Sequence, residues 1–332
     1  MLRRKFITLA AGAAQIARAS APIGIGVLGL RHSHATTVFQ VIRSSVDWNV
    51  VGVCEPNPAR RPSGVQVLSR EELLSHPEIR VIAVESDVPE HAADGLAVVN
   101  AGKHLHLEKA PADTMAGLQR IVDVAREKKL TLQTGYMWRY HPGFAKVVEA
   151  AREGWLGSIY QVRASMHNQL PADQRSEWAR FPGGVMYEFG GHMADPLLRI
   201  LGRPTKVTPY LRRSGDLVDN AMAMLEWKGA IGVIQASNIQ PNSGKHRALE
   251  VYGSNGTAIV SPIEPPSLVI DLEKPAGPYM AGFQTIPMPP YKRFEADFAE
   301  LAAVLRGQRK LSVSYEDDLL LQDVLLRCCG MA

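Results

Sequence analysis

Short apolar runs alternate with segments of helical periodicity through the first half of the sequence, and this alternation constrains the fold most strongly. Five runs bounded by polar residues or glycine have the pattern of buried strands, at residues 23–28, 50–54, 81–84, 104–107 and 130–134. A helix is predicted before the last run, where apolar residues recur at helical spacing: Met115, Leu118, Ile121, Val122 and Ala125. We therefore expect residues 22–142 to form an α/β domain with a parallel, doubly wound sheet.

The pattern changes after residue 142. A helix predicted at 143–151 is followed by longer alternating runs, without helices between them, at residues 159–166, 206–212, 221–227, 230–237, 247–252, 258–261 and 268–272. Such alternation is typical of antiparallel strands with one solvated face. Residues 143–332 are therefore expected to form a second, α+β domain with a large, mostly antiparallel open sheet. Helices predicted at 294–305 and 316–328 are expected to pack back on the first domain.

Composition excludes some classes of protein. The net charge is +4, but lysine and arginine are scattered along the chain instead of clustered with aromatic residues, so no nucleic-acid partner is expected. The three cysteines, Cys54, Cys328 and Cys329, have the spacing of neither a disulfide framework nor a metal site. We interpret all three as structural residues.

The first residues have the pattern of an export signal. Arg3 and Arg4 precede an apolar stretch at residues 8–17, and Ala19-Ser20-Ala21 has the form of a cleavage site. This pattern predicts a twin-arginine signal over residues 1–21 and a periplasmic or secreted protein; the alternative is a basic extension on a cytoplasmic protein. No later apolar run approaches the roughly 18 residues that a membrane-spanning helix needs, so no membrane span is expected.

A turn containing glycine follows the first predicted strand. Gly24, Gly26 and Gly29 match a G-x-G-x-x-G pattern, but the first two lie inside the strand, whereas phosphate binding needs glycines in the turn after it. The working turn starts at Gly29 and ends at His34, and only the first of its three glycine positions is kept. A dinucleotide pyrophosphate is expected to contact the residues of this turn: Gly29, Leu30, Arg31 and His32. The alternative is a doubly wound domain that binds no dinucleotide.

Residues beyond the turn bear on the choice of ligand. Glu55 follows the second predicted strand, where a carboxylate can bind the ribose diol of NAD and repel the 2′-phosphate of NADP. Arg60 and Arg61 could instead bind that phosphate, so NAD is favoured and NADP stays open. His32 and His34 alone suggest a metal pair, but the sequence shows no third convergent ligand, and no metal is expected.

Two further segments carry groups suited to acid–base chemistry. Lys109 follows the fourth predicted strand, at the edge of the sheet where open α/β folds bind ligands. Glu188 and His192 are four residues apart, so on a helix they share one face and can converge on a substrate hydroxyl. Asp195, three residues further along, is placed to orient the His192 ring.

These segments together resemble one family. The Glu-Lys-Ala-Pro sequence at 108–111, the Gly-Tyr-Met-Trp-Arg-Tyr-His-Pro run at 135–142, and the Gly-Gly stretch leading to Glu188, His192 and Asp195 are similar in order to the Gfo/Idh/MocA oxidoreductases. The resemblance runs over nearly the whole chain after the signal. It implies a Rossmann-like dinucleotide-binding domain and a second domain whose open sheet forms homo-oligomer contacts, in a dimer or tetramer. The implied reaction is hydride transfer between NAD(P) and a sugar, polyol or cyclitol hydroxyl.

The resemblance also implies roles for individual residues. Lys109 would hold the reacting oxygen, His192 would act as general acid/base, and Glu188 stands where the family usually has aspartate. Further cofactor contacts are expected in the loops after the third and fourth strands: Ser86, Asp87, His91, Glu108 and Lys109. Substrate contacts are expected from four residues: Arg139, Tyr140, Trp178 and Asp195.

Departures from the family pattern lie on the cofactor side, at Arg31, His34, Ala110 and the loop around Ser86. They leave two alternatives to a dehydrogenase. One is a redox-neutral enzyme that holds NAD tightly and cleaves glycosides by transient oxidation and elimination. The other is a non-catalytic sugar-binding protein that has lost cofactor binding.

Overall fold

The computed structural model describes residues 21–181 and 183–332. Two sheets with packed helices form an α/β fold, which confirms the fold class expected from the sequence. The predicted export signal lies outside the described residues except for Ala21. Within those ranges, no helix combines the length and the apolar character needed to cross a membrane.

The first sheet has five parallel strands in the order β2-β1-β3-β4-β5. Its strands confirm the predicted runs: β1 Ile23–Leu28, β2 Trp48–Cys54, β3 Val81–Val84, β4 His104–Leu107 and β5 Leu132–Thr134. The connecting helices are α1 Ala35–Ser44, α2 Arg70–Ser75, α3 His91–Asn100 and α4 Met115–Glu127. The central strand β3 is buried along its whole length, as expected for a parallel sheet with covered faces.

The strand order reverses between β1 and β3. Because β2 lies on one side of β1 and the later strands lie on the other, the connections diverge and leave a crevice at the carboxyl ends. Gly29, Glu55 and Ser86 come after β1, β2 and β3 at this edge, and Glu108 and Lys109 come after β4. The parallel topology therefore gathers residues that are far apart in the sequence.

The second sheet has eight strands in the order β13-β12-β11-β10-β6-β9-β8-β7. Its neighbours are antiparallel except β6 and β9, which are parallel, so the expected mostly antiparallel sheet is confirmed. The strands are β6 Ile159–His167, β7 Lys206–Ser214, β8 Leu217–Trp227, β9 Ala230–Ser237, β10 Ala248–Gly253, β11 Gly256–Val260, β12 Leu268–Leu272 and β13 Gly282–Ile286.

The helices of this half are α5 Pro142–Arg152, α6 Arg175–Trp178, α7 Gly184–Leu201, α8 Glu295–Leu305 and α9 Tyr315–Cys328. The expectation that no helix interrupts the strand runs was wrong, because α6 and α7 lie between β6 and β7. The first fifteen residues of α7 are all buried. A helix buried on every side has no polar face, so its periodicity is weak in the sequence.

Glycines bring α7 close to its neighbours. Gly184 begins the helix with φ +54°, and a Cβ there would lie 2.4 Å from the carbonyl oxygen of Val218 in β8. Gly191 faces the ring of Tyr136, whose nearest carbon would lie 2.4 Å from an added Cβ. Side chains at these two positions would push α7 away from both contacts. The glycines therefore fix where the intervening Glu188 lies.

Arg139, in the turn after β5, joins three elements through buried charges. Its Nε donates to Asp195 Oδ1 of α7 at 2.7 Å, and its Nη1 lies 2.7 Å from Asp318 Oδ1 of α9. Thr134 Oγ1 donates to the same Asp318 oxygen at 2.8 Å. Burial alone would lower the pKa of the Arg139 guanidinium, but the two carboxylates raise it above its usual range. The Arg139 guanidinium therefore stays charged and stabilises the carboxylates of Asp195 and Asp318.

We predict that Arg139→Met destabilises the fold by about 3–5 kcal/mol, because two buried carboxylates lose their partner. The free energy of unfolding in urea measures this effect. The matched control is Arg203→Met, which removes an exposed pair with Asp323 and should cost less than about 1 kcal/mol. Equal costs for the two variants would contradict the role given to Arg139.

Candidate active site

Lys109 and Glu188 form a buried ion pair between the two halves of the chain. Lys109 lies directly after β4, and its Nζ donates to Glu188 Oε1 on α7. The same nitrogen donates to the backbone oxygen of Glu188 at 3.2 Å. Only 2% of the Lys109 side chain and 5% of the Glu188 side chain are exposed. The pair therefore keeps a lysine cation in a nearly water-free site, a contact that the sequence analysis did not anticipate.

His192 lies one helical turn beyond Glu188 and is also buried. Its ring packs edge-on against Tyr136, with centroids 5.8 Å apart, and at a tilt against Trp138, with centroids 5.2 Å apart. Neither ring nitrogen has a hydrogen-bond partner among the described residues. Burial, aided by the positive charge of Lys109, holds the pKa of His192 well below its usual range. The imidazole is therefore neutral, with an unshared nitrogen lone pair.

The expected contact between Asp195 and His192 is absent from the described structure, because Asp195 accepts from Arg139 instead. Tyr140 is likewise held in the interior: its hydroxyl donates to Glu300 Oε2 at 2.6 Å. Three of the four residues expected at the substrate thus have hydrogen-bond partners within the protein. Trp178 differs, since it lines a small cavity that reaches the ion pair.

That cavity has a volume of about 260 Å³, and its walls include Arg31, Asp87, Trp178 and Glu188. Arg31 crosses it, with Nη1 at 3.1 Å from Asp87 Oδ2 and Nη2 donating to Glu177 Oε1 at 2.9 Å. The bond to Glu177 and the charge of Asp87 raise the pKa of Arg31 despite its partial burial. Arg31, expected at a pyrophosphate, is here an ionic link between the turn after β1 and the segment before α7.

The turn after β1 is held by its own hydrogen bonds. Gly29 has φ +76°, and a Cβ there would lie 2.5 Å from Ser86 Cα, so only glycine fits. The N–H groups of Arg31 and His32 both donate to the carbonyl oxygen of Glu85, at 3.1 and 3.0 Å. The Leu30 N–H donates to Glu55 Oε2 at 2.7 Å. The turn is therefore tied to the ends of β2 and β3.

A larger cavity of about 820 Å³ opens at the reversal of strand order, and its walls include Gly29, Glu55 and Ser86. Each Glu55 oxygen accepts one backbone N–H, from Leu30 and from Asn57, and keeps acceptor capacity for a ligand hydroxyl. Ser86 Oγ is buried and has no partner in the described part of the chain. The Glu55 carboxylate on the cavity wall, with Ser86 beside it, fits the adenosine ribose of a dinucleotide.

Glu108 is fully buried beside two histidines of the turn. Its Oε1 lies 3.0 Å from His34 Nδ1, and its Oε2 lies 3.6 Å from His32 Nδ1. Burial alone would raise the pKa of the Glu108 carboxyl, but His34, His32 and Lys109 hold it well below its usual range. The carboxylate is therefore ionised in spite of its burial.

Three further buried residues lie near Glu108 or the predicted cofactor loops. His91 is buried and joins two loops, with its ring nitrogens 3.0 Å from Ala110 O and 3.2 Å from Ser86 O. Glu85 and His106 lie next to Glu108 and were missed by the sequence analysis. Their signal was present, because both are polar residues in or directly after apolar strands that are otherwise buried.

We predict that His192→Gln flattens the loss of stability at acid pH. The unfolded chain protonates this histidine near its ordinary pKa of about 6.5, whereas the folded protein resists protonation until much lower pH. The contribution of this histidine to the free energy of unfolding is therefore complete above about pH 6.5. It is lost as the pH drops further, by up to about 1.4 kcal/mol per pH unit. Unfolding free energies between pH 7 and pH 5 for both proteins give the difference in slope; identical slopes would contradict a buried neutral His192.

Two family models match the chain. The family model described as "Oxidoreductase family, NAD-binding Rossmann fold" matches residues 23–136, and that of the "GFO/IDH/MocA C-terminal domain" matches residues 144–259. Myo-inositol 2-dehydrogenase of Thermotoga maritima is 25% identical over 266 residues, which cover 76% of this chain and 78% of the relative. The 1,5-anhydro-D-fructose reductase of Ensifer adhaerens is 24% identical over the same shares of the two chains.

Solved structures share the fold. A putative NADPH-dependent oxidoreductase from Desulfitobacterium hafniense superposes with a TM-score of 0.82 at 18% identity, covering 94% of this chain and 95% of the other. GenD2 from gentamicin A biosynthesis, solved with NAD, gives a TM-score of 0.78 at 19% identity, covering 98% and 97%. With two family models matching most of its length, this chain belongs to the Gfo/Idh/MocA family of NAD-binding oxidoreductases.

Proposed function

We propose that the protein interconverts a hydroxyl and a carbonyl group on a sugar, polyol or cyclitol, with a nicotinamide dinucleotide as cofactor. The observation that carries this proposal is the buried Lys109–Glu188 pair with a neutral His192 one helical turn away. A fixed cation and an unpartnered base are what removal of a hydroxyl proton requires. Relatives named as inositol dehydrogenases and a sugar reductase support the substrate class.

The residues divide the work as follows. His192 takes up the hydroxyl proton during oxidation and returns it during reduction. Lys109 Nζ stabilises the negative charge that develops on the substrate oxygen, and Glu188 fixes the position of that nitrogen. The nicotinamide, when bound, supplies the hydride acceptor or donor. Burial of Lys109 and His192 excludes water, which strengthens both interactions.

Glu55 and Ser86 would hold the adenosine half of the cofactor, and the contacts of Arg61 favour NAD over NADP. Arg61 Nε donates to the carbonyl oxygen of Glu55 at 2.7 Å, and its Nη2 donates to Pro56 O at 3.1 Å. A guanidinium committed to two carbonyl groups is less available to a 2′-phosphate, which the Glu55 carboxylate also repels. We keep Gly29, Leu30, Arg31 and His32 as proposed pyrophosphate contacts.

The assembly and location follow as further proposals. We assign residues 22–142 to cofactor binding and residues 143–332 to substrate binding and to a homo-oligomer, a dimer or tetramer. The open face of the second sheet supports that assembly, because large apolar side chains are exposed on it: Tyr210, Met222 and Ile231. The twin-arginine pattern of residues 1–21 supports export in the folded state, which would let the enzyme carry its cofactor with it.

We predict that Lys109→Ala and His192→Ala each lower kcat/KM by about 10²–10⁴-fold while dinucleotide binding persists, since neither residue lines the cavity at Glu55. Absorbance of the nicotinamide during turnover of a panel of inositols and sugars, with NAD and with NADP, measures activity. The control is Lys206→Ala, an exposed lysine on β7, which should leave turnover unchanged.

Two results would contradict the proposed reaction. Product formed without any change in nicotinamide absorbance would point to redox-neutral glycoside cleavage. Full activity in Lys109→Ala and His192→Ala would remove the assigned roles from these residues.

We predict that Glu55→Gln shifts cofactor preference toward NADP by at least tenfold, about 1.4 kcal/mol, because the charge that repels the 2′-phosphate is lost. Thermal unfolding with NAD, NADH, NADP and NADPH measures the preference in both proteins, since a ligand at 100-fold its Kd adds about 2.7 kcal/mol. An unchanged preference would place the ribose away from Glu55. The absence of a shift with all four dinucleotides, in protein freed of bound nucleotide, would refute cofactor binding.

A further inference from the structure

Three side chains with metal-binding atoms converge beside the candidate active site. His32 and His34 come from the turn after β1, and Glu108 comes from the loop after β4. One donor atom from each lies within 4.8 Å of the other two. The sequence offered only the histidine pair, so no metal was expected. The fold supplies the third donor by bringing the carboxyl ends of β1 and β4 to the same edge.

His32 presents an unprotonated ring nitrogen close to a buried carboxylate. His32 Nδ1 accepts the backbone N–H of His34 at 3.2 Å, so this nitrogen carries no proton. The same nitrogen lies 3.6 Å from Glu108 Oε2, which is also an acceptor and already receives the Lys109 N–H at 2.9 Å. Two acceptors at this separation repel each other, whereas a cation bound by both would turn the repulsion into attraction.

A second group of buried polar atoms, from Glu85 and His106, also lies beside Glu108. Gln133 Nε2 donates to Tyr140 Oη at 3.0 Å, which leaves Gln133 Oε1 to accept from His106 Nδ1 at 3.0 Å. The lone pair of His106 is therefore on Nε2, which is buried without a partner in the described structure. Both carboxyl oxygens of Glu85 are also buried and unpartnered there.

Within the described ranges, no cationic side chain is hydrogen-bonded to Glu85 or His106. Glu85, His106 and Glu108 place their donor atoms within 4.8 Å of one another, and Lys109 directs its charge at Glu188. Buried polar atoms are normally satisfied, and a bound ion is one of the partners that can satisfy a cluster of them.

The geometry points to a binding site for one divalent transition-metal ion of the zinc type, held by His32, His34 and Glu108. Two imidazoles and one carboxylate form a donor set that zinc accepts while keeping a coordination position open. The three ligands adjoin the candidate active site, because the His34 and His192 rings are 6.3 Å apart, and 12% of the His34 side chain is exposed. Water or a substrate oxygen is the ligand that the open position would take.

The site is separate from the cavity assigned to adenosine. None of the three ligands is among the residues that line the 820 Å³ cavity, whose walls lie on the β2 side of the turn. Metal binding at His32, His34 and Glu108 therefore goes beyond the proposed function and is measured without substrate or dinucleotide.

The test is titration of the full-length protein, purified without a histidine tag and stripped with a chelator, using Co²⁺ as a spectroscopic probe and then Zn²⁺. We expect one equivalent of cobalt per chain, visible d–d absorption of a site with four or five ligands, and displacement by zinc. His34→Ala and His32→Gln should each weaken binding by more than tenfold. His246→Ala, an exposed histidine distant in sequence from the cluster, is the matched control and should bind as the parent does.

No visible absorption at stoichiometric cobalt, or equal affinity in the parent and His34→Ala, would overturn the proposal. His34 makes no capping hydrogen bond to α1, so its replacement should leave that helix intact. Circular dichroism checks the fold of each variant. If His34→Ala does not fold, His32→Gln and X-ray absorption of the cobalt-loaded parent decide the question, because fewer than two imidazole ligands in that spectrum would equally refute the site.

Discussion

The ion pair between Lys109 and Glu188 is the interaction on which the arrangement of the two halves depends. Neither residue tolerates burial alone, since removing one partner of a buried pair leaves an uncompensated charge that typically costs about 3–5 kcal/mol. The pair therefore requires that the carboxyl end of β4 and the second turn of α7 meet at a fixed distance. Gly184 and Gly191 make that approach sterically feasible, and Arg139 holds α7 and α9 against β5 in the same position.

The same low-dielectric setting gives the candidate site its chemical character. His192 is neutral because burial and the nearby cation both oppose its protonation, while the Glu108 carboxyl stays ionised because its contacts with His34, His32 and Lys109 lower its pKa. The exclusion of water thus explains both the neutral His192 and the fixed charge of Lys109. Several buried nitrogen and oxygen atoms around Glu108 have no partner among the described residues, and the proposed metal ion would bind in their midst.

Much of this organisation was predictable from local sequence. The five parallel strands follow from short apolar runs. The placement of Glu188 and His192 on one face of a helix follows from their spacing of four residues. The position of Lys109 after β4 was sufficient to place it at the ligand-binding edge of a parallel sheet. These features depend on periodicity and topology, which a single sequence records.

Long-range pairing was not predictable in the same way. Asp195 was expected at His192, but it binds Arg139, whose other partner Asp318 lies near the end of the chain. The histidine pair of the turn acquired its third candidate ligand, Glu108, only through the folding of β4 beside β3. A crystal structure grown with NAD⁺ at saturating concentration would show directly where the dinucleotide binds. We expect a dinucleotide with its adenosine ribose at Glu55 and its nicotinamide beside Lys109 and His192. Crystals in which the dinucleotide is absent from this crevice, or has its nicotinamide away from Lys109, would contradict it.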